Sequence, residues 1–177
     1  ADIYGAFAER VPSPHCLDLG CGTGLMAKAM SKEAGIWTGI DLSTKMLEKA
    51  REKGLYQSLI CSDVVGAMRS MDAQSFDVVC AADVFIYVGA LEDTFKEVHR
   101  ILRPGGYFLF SVESNTTTSD FTLCTSGRFA HQESYIRRLA QPEAWRICSV
   151  RATAIRAERS GHLSGQLFAL QRLGSAA

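Results

Sequence analysis

The sequence predicts an α/β protein with a mostly parallel central sheet. Short apolar runs alternate with segments of helical spacing along most of the chain, as in parallel sheets with right-handed crossovers. A glycine-rich turn at 20–24 follows the first apolar run, where such sheets bind ligands. Near the C-terminus, two β-like runs joined near Ser160 predict an antiparallel hairpin.

The elements follow in order from apolar spacing and from turn residues. The predicted strands are 16–19, 36–40, 56–61, 76–82 and 107–112, followed by the hairpin strands 147–158 and 163–172. The predicted helices are 25–33, 43–53, 66–70, 91–102 and 131–140. The continuous apolar run at 76–82 is typical of a strand covered on both faces. Ser43 is the expected N-cap of the second helix, and Gly54 is expected to end it.

Composition excludes several classes of protein. A hydrophobic content of 47% over 177 residues suits one globular domain and argues against disorder. Basic and acidic residues balance at 19 each, so no broad nucleic-acid footprint is expected. The cysteines form no C-x-x-C pair and the histidines do not cluster with them, so we expect no metal site. No apolar run reaches the roughly 20 residues of a membrane span and no signal peptide is evident, so we expect a cytoplasmic protein.

The most informative segment is the glycine loop with its two flanks. Leu19 precedes Gly20-Cys21-Gly22-Thr23-Gly24, and a predicted helix starts at Leu25. Glycines let a ligand approach the backbone, and a helix N-terminus offers unpaired N–H groups. Asp41 ends the next strand, where nucleotide-binding folds place an acid on the ribose hydroxyls. Leu25 stands where the dinucleotide fingerprint requires its third glycine, so a nucleoside ligand is favoured over a pyrophosphate.

Five ordered segments together resemble motifs of the class I S-adenosylmethionine (SAM)-dependent methyltransferases. They are Leu17-Asp18-Leu19-Gly20-Cys21-Gly22-Thr23-Gly24, Gly39-Ile40-Asp41-Leu42-Ser43, Cys61-Ser62-Asp63-Val64, Phe76 to Asp83, and Leu102-Arg103-Pro104-Gly105-Gly106. The resemblance covers about residues 15–113 and is closest to small methyltransferases associated with tetratricopeptide repeats, although the chain has no such repeat. It implies a Rossmann-like, doubly wound, seven-stranded sheet ending in the C-terminal antiparallel hairpin. It also implies SAM as cofactor and S-adenosylhomocysteine (SAH) as product.

The resemblance further implies a set of cofactor contacts. The implied residues are Asp18, Gly20, Cys21 and Gly22 at the methionine half, Asp41 at the ribose, and Leu42, Met46, Asp63 and Val64 at the adenine, with the carbonyl of Ala81 near the methionine amino group. Simpler roles remain open for several of them. Asp41 is also suited to capping a helix, Asp63 to a turn and Asp18 to pairing with loop amides, while Met46 also suits a core.

The acceptor side is expected after the fourth and fifth strands. Tyr87 follows the fourth strand at a position where members of the family often carry a histidine, and it is one catalytic candidate. His131 is the other candidate, because a histidine accepts a proton near neutral pH; a helix-start or packing role is the alternative. On the predicted helix, His131 and Tyr135 share a face. Arg128, Tyr135 and Glu113 are the candidate acceptor-binding residues.

The organisation we expect is a single methyltransferase domain over residues 1–177. Residues 1–14 are interpreted as the remnant of an N-terminal cap, with Tyr4 packing on the cofactor. Residues 15–113 form the cofactor-binding core, and residues 114–177 supply an acceptor-side loop, a helix and the terminal hairpin.

The leading functional hypothesis is methyl transfer from SAM to an O, N or C nucleophile of a small molecule. A protein acceptor, and a non-catalytic SAM-binding or interaction module, remain as alternatives. A nicotinamide-dependent oxidoreductase is disfavoured, because the third fingerprint glycine is missing and Tyr135 is followed by Arg138 and Leu139 rather than by a lysine.

Overall fold

A computed structural model of the protein describes residues 11, 13–30, 35–158 and 161–174. The predicted cofactor contact of Tyr4 lies outside these residues. Within them the strands are β1 (His15–Leu19), β2 (Ile36–Asp41), β3 (Ser58–Cys61), β4 (Phe76–Ala81), β5 (Leu102–Ser114), β6 (Phe121–Leu123), β7 (Phe129–His131), β8 (Trp145–Glu158) and β9 (Gly161–Arg172). The helices are α1 (Leu25–Met30), α2 (Thr44–Glu52), α3 (Val64–Arg69), α4 (Glu92–Ile101) and α5 (Glu133–Leu139), with a short 3-10 helix at Phe85–Tyr87.

The central sheet is parallel in the order β3-β2-β1-β4-β5, so the chain reverses its direction of winding between β1 and β4. Beyond β5, β9 and β8 add antiparallel strands, which confirms the predicted α/β fold with its C-terminal hairpin. Ligands of such sheets bind beyond the carboxyl ends of the strands at the point of reversal. The loops after β1 and β4 therefore border the place where a ligand is expected to bind.

The sheet has nine strands in the described residues rather than the predicted seven, because the segment after β5 contains β6 and β7. β4 pairs with one edge of β5 as far as Phe110, while β9 occupies the other edge as far as Glu113. β7 pairs with β5 at Glu113 and Ser114, so it lies on the edge that β4 has left. The β6–β7 hairpin therefore stands directly beyond the carboxyl end of β4.

Two layers of helices cover the sheet, and the core lies on both of its faces. One face carries an aromatic cluster in which Phe85, Phe95, Phe108 and Phe110 pack edge to face and tilted, with α3 and α4 over it. The other face carries a smaller cluster under α1. Every residue of β4 is buried, which confirms the prediction of a strand covered on both sides.

One predicted helix begins later than its spacing suggests. The 131–140 segment is helical only over Glu133–Leu139, and His131 is the last residue of β7. The expectation that His131 and Tyr135 share a helix face is therefore wrong. Strand pairing with β5 fixes the backbone of His131 and so overrides the local helical spacing. No helix of the described residues is both long and apolar enough to cross a membrane.

Candidate active site at the carboxyl edge of the sheet

The glycine loop needs glycine for its backbone as well as for space. Gly20, Gly22 and Gly24 have φ angles of 61°, 52° and 81°, which side-chain-bearing residues rarely adopt. A Cβ built on Gly20 would lie 2.5 Å from Cγ2 of Val84, in the loop after β4. A Cβ built on Gly22 would meet nothing within 4 Å. The loop after β4 thus packs closely against Gly20, whereas Gly22 borders open space.

Asp41 joins the glycine loop to the end of β2. Its Oδ2 accepts a hydrogen bond from the backbone N–H of Gly22 at 2.8 Å, and its Oδ1 accepts one from the N–H of Ser43 at 2.8 Å. The N–H of Cys21 donates to the carbonyl of Ile40 at 2.8 Å. Ser43, rather than Asp41, caps α2, as predicted. Each carboxylate oxygen of Asp41 keeps a further acceptor site, because each has two lone pairs.

Apolar side chains stand in solvent beside Asp41. Leu42 is 75% exposed and Met46 is 40% exposed, so Met46 is not a core residue. Asp63 is the N-cap of α3 and accepts a hydrogen bond from the N–H of Gly66 at 2.7 Å, while Val64 is half-buried in the first turn. Together these residues form an open apolar surface with acceptor oxygens at its border.

Asp18 lies beneath the loop and is 1% exposed. The hydroxyl of Tyr56 donates a hydrogen bond to its Oδ2 at 2.6 Å. Burial raises the pKa of the Asp18 carboxyl to about 7, the hydrogen bond from Tyr56 opposes this, and the charge of Asp41 adds to it. Burial, with Asp18 and Asp41 nearby, also raises the pKa of the Cys21 thiol to about 12, so that thiol stays protonated. Ala81, buried at the end of β4, completes the predicted cofactor set.

The loop after β4 faces the same edge. Asp83 has a φ of 60°, and its backbone N–H donates to the Ser111 hydroxyl of β5 at 2.9 Å. Tyr87 closes the short 3-10 helix and is 70% exposed. An aromatic ring with its hydroxyl in solvent at this place is able to contact an acceptor molecule.

The other acceptor-side candidates lie behind this loop. His131 is completely buried, and its Nε2 lies 2.8 Å from the carbonyl of Gly89. The Tyr135 hydroxyl accepts a hydrogen bond from the N–H of Leu91 at 2.7 Å. Glu113 is buried in β5 beside β7. Arg128 is half-buried just before β7, and its carbonyl accepts from the N–H of Cys124 at 2.8 Å.

Three residues that sequence reasoning missed belong to this framework. Tyr56 reaches Asp18 across 38 positions of sequence, Val84 packs against Gly20, and Ser111 fixes the backbone of Asp83. The sequence signal for Tyr56 was weak, since one aromatic residue before an apolar strand is ordinary core material.

Comparison with known proteins identifies the family. Residues 17–110 match the family described as "Methyltransferase domain", a stretch that begins within β1, ends within β5 and includes the loops after β1, β2, β3 and β4. The chain belongs to the class I SAM-dependent methyltransferases.

Relatives of this methyltransferase share the same core. A "Ubiquinone biosynthesis O-methyltransferase" of Coxiella burnetii is 32% identical over 101 residues, which cover 55% of this chain and 42% of that protein. "Squalene methyltransferase 2" of Botryococcus braunii is 34% identical over 108 residues, which cover 58% of this chain and 29% of that protein. The matched stretches thus span less than half of these curated relatives.

A solved structure extends the similarity to nearly the whole fold. A SAM-dependent methyltransferase of Methanosarcina mazei superposes with a TM-score of 0.71 at 19% identity, over 92% of this chain and 94% of that one. At this level of identity the similarity concerns the fold alone.

The site of this methyltransferase fits the cofactor of its family. The open space at Gly22 leaves room for a ligand against the loop, and Asp41 has acceptor capacity for the two hydroxyls of a ribose. The exposed side chains of Leu42 and Met46 suit a flat, largely apolar ring. The cofactor carries cationic groups, and the site offers two acidic side chains, Asp18 at β1 and Asp41 at the end of β2, which are close enough for their charges to interact.

Proposed function

We propose that this protein transfers the methyl group of SAM to a nucleophilic O, N or C atom of a small molecule at the carboxyl edge of its sheet. The observation that carries the proposal is the hydrogen bond of 2.8 Å from the N–H of Gly22 to Asp41. It holds the glycine loop next to Asp41, the acid that we place at the ribose. The open space at Gly22 supports the same conclusion.

The residues of the site would hold the two halves of the cofactor differently. Asp41 would accept both ribose hydroxyls, while Leu42, Met46, Asp63 and the backbone of Val64 would contact the adenine. Gly20, Cys21 and Gly22 would line the methionine half, with Asp18 and the carbonyl of Ala81 near its amino group. When bound, SAM would supply an electrophilic methyl carbon on a sulfonium, and the sulfur would keep the pair of the broken carbon–sulfur bond while an electron pair of the acceptor forms the new bond to the methyl carbon.

The protein's contribution to that transfer is mainly positioning and exclusion of water. The glycine loop fixes one reactant, and the loop 83–91 after β4 faces the other. Tyr87, with its exposed ring, is the residue we place against the acceptor, where its hydroxyl can accept or donate a hydrogen bond. A proton released by the acceptor would pass to solvent, either directly or through the Tyr87 hydroxyl, which would give its own proton to water as it accepts the new one.

His131, Tyr135, Glu113 and Arg128 are proposed to shape the acceptor side. The burial of His131 and its bond to Gly89 favour support of the loop 83–91 over proton transfer to the acceptor. Tyr135 supports the same loop at Leu91. Glu113 lies in β5 beside β7 and Arg128 directly precedes β7, and these are the charged groups we place nearest to an acceptor's polar atoms.

We also infer that the described residues act as one domain. β9 pairs with β5 from Tyr107 to Glu113, so the terminal hairpin shares the sheet of the cofactor-binding core. A cut between the core and the hairpin would expose that edge of β5.

The first experiment is calorimetric titration with SAM and with SAH, using NADH as the control ligand. We expect the first two to bind, NADH not to bind, and Asp41→Ala to lose binding of both. Asp41→Asn keeps one acceptor oxygen, so its affinity for SAM and SAH should lie between those of the wild type and of Asp41→Ala. A folded wild-type protein that binds neither SAM nor SAH would contradict the proposal.

The second experiment identifies the acceptor class. SAH release is measured with a panel of phenols, amines and alkenes, which represent O, N and C nucleophiles. Turnover with one class that Asp41→Ala abolishes would support methyl transfer to a small molecule. Binding of SAM without turnover on any class would instead favour a non-catalytic module or a protein acceptor.

A further inference from the structure

Tyr56 lies between α2 and β3 and reaches under the glycine loop. Its hydroxyl donates to Oδ2 of Asp18 at 2.6 Å, and Asp18 itself is 1% exposed. A hydrogen bond to a buried carboxylate is among the stronger ones in proteins, because the acceptor is charged and shielded from water. Tyr56 is therefore tied to the strand that leads into the loop.

The ring of Tyr56 occupies space that two glycines leave open. A Cβ built on Gly24 would lie 2.9 Å from its Cε2, and a Cβ built on Gly39 would lie 3.0 Å from its Cδ1. Gly24 ends the glycine loop, and Gly39 pairs with Asp18 across β1 and β2. The ring thus lies against the last glycine of the loop and against the β2 residue that pairs with Asp18, while its hydroxyl holds the Asp18 carboxylate.

The groups around Asp18 come from four other parts of the chain. Tyr56 faces it from the loop before β3, Asp41 from the end of β2, Cys21 from the glycine loop and Cys80 from β4. Burial disfavours the charged carboxylate and the negative charge of Asp41 does so too, whereas the hydrogen bond from Tyr56 favours it. Among these neighbours, Tyr56 is the one that stabilises the anion.

We propose that Tyr56 is a positioning residue of the cofactor site, which holds the Asp18 carboxylate and supports the glycine loop from below. This inference rests on the proposed function, because the ligand it concerns is SAM or SAH. In this proposal Tyr56 acts through Asp18 and not by contact with the ligand. It acts by keeping Asp18 ionised and correctly aimed at a cationic amino group.

The test uses SAH as the probe and Tyr56→Phe as the variant, since this change removes the hydroxyl and keeps the ring. We expect Kd for SAH near neutral pH to rise about tenfold. Tyr107→Phe is the matched control, because Tyr107 lies in β5 where it pairs with Val78 and Gln171, and it should leave Kd unchanged.

A pH profile separates positioning from a general loss of packing. Binding of SAH to the wild type should weaken as the pH falls through the pKa of Asp18. In Tyr56→Phe the midpoint should move to higher pH, because the hydrogen bond that favours the anion is gone. Carbon NMR titration of the Asp18 carboxyl without any ligand should show the same upward shift.

The results distinguish a failure of the inference on Tyr56 from a failure of the proposed function. If the wild type binds SAH and Tyr56→Phe matches it in both Kd and midpoint, the inference on Tyr56 is overturned and the proposed function stands. If the wild type binds no SAH, the proposed function fails and the inference fails with it. Should Tyr56→Phe not fold, Asp18→Asn carries the test: the pH midpoint must then disappear, and its persistence contradicts the role of Asp18.

Discussion

The imidazole of His131 stacks on the phenol ring of Tyr135, with centroids 6.2 Å apart and planes within 12°. Each ring also holds the backbone of the loop after β4: His131 at the carbonyl of Gly89 and Tyr135 at the N–H of Leu91. A carbonyl only accepts, so Nε2 of His131 carries the proton. The pair thus connects β7 and α5 to the loop that presents Tyr87.

Removing the hydroxyl of Tyr135 should weaken this connection. Tyr135→Phe leaves the buried N–H of Leu91 without its acceptor, and we expect a loss of about 1–2 kcal/mol in the free energy of unfolding. Urea denaturation measures the loss, and hydrogen exchange at Leu91 should become faster. Tyr87→Phe is the control, since its ring is 70% exposed and its loss should stay below about 0.5 kcal/mol. Equal effects of the two changes would contradict the role of the Leu91 contact.

His131 should make the stability of the protein fall in acid. Burial lowers the pKa of His131 from the usual 6.5, and the carbonyls of Gly89 and Val88 oppose this only partly. Below 6.5 the unfolded chain binds a proton that the folded state refuses, so stability decreases from there down to the folded pKa.

The variant His131→Gln tests this dependence, because glutamine keeps a donor for Gly89 and does not titrate. Free energies of unfolding are compared from about pH 8 to about pH 5. The free energy of unfolding of the wild type relative to that of the variant should decrease toward pH 5, because only the wild type carries the His131 contribution, whereas the contribution of Asp18 is common to both proteins. Parallel curves for the two proteins would show that His131 does not contribute to the pH dependence.

The strands β1 to β5 and the glycine loop with Asp41 could be predicted, because the sequence patterns that indicate them are local. Alternating apolar runs define β1 to β5, and the glycine spacing with Asp41 defines the loop. The hairpin β6–β7 has strands of three residues each, and it joins the sheet because the end of β5 pairs with β7. His131 and Tyr135 do meet, but through a strand followed by a helix rather than along one helix. The Tyr56–Asp18 contact joins residues 38 positions apart, which no local pattern encodes.

Asp18 should destabilise the protein when it is ionised. Its pKa rises from 3.8 to about 7 on folding, mainly through burial. Between these values the folded state holds a proton that the unfolded chain has lost, so stability falls as the pH rises, and the cost is complete above about pH 7. Asp18→Asn removes the charge and keeps an oxygen that can accept from Tyr56.

We therefore expect Asp18→Asn to raise the free energy of unfolding by about 2–4 kcal/mol near pH 8 and by little near pH 4. Urea denaturation at the two pH values measures this. The exposed Asp72 supplies the control, because Asp72→Asn should change stability little at either pH. A gain that does not depend on pH would contradict the assignment. If Asp18→Asn has a higher free energy of unfolding but binds SAH more weakly than the wild type, Asp18 serves ligand binding at the expense of stability.

The contact between Gly20 and Val84 should make the loop intolerant of any side chain. Gly20→Ala adds backbone strain at a φ of 61° and places a Cβ 2.5 Å from Cγ2 of Val84. Gly54 is the control, because it has a φ of 63° and nothing lies within 4 Å of its Cβ position. Gly54→Ala should therefore lower the free energy of unfolding through backbone strain alone, by about 1–3 kcal/mol.

The excess loss in Gly20→Ala over Gly54→Ala measures the steric contact, and we expect at least about 1 kcal/mol by urea denaturation. In a double-mutant cycle, Val84→Ala should recover much of that excess, because it removes both γ carbons that face Gly20. If the effects of Gly20→Ala and Val84→Ala on the free energy of unfolding are additive, the added Cβ at position 20 makes no steric contact with Val84. A favourable coupling would establish that the glycine loop and the loop after β4 share one packed contact, so that a substitution in one loop changes the stability of the other.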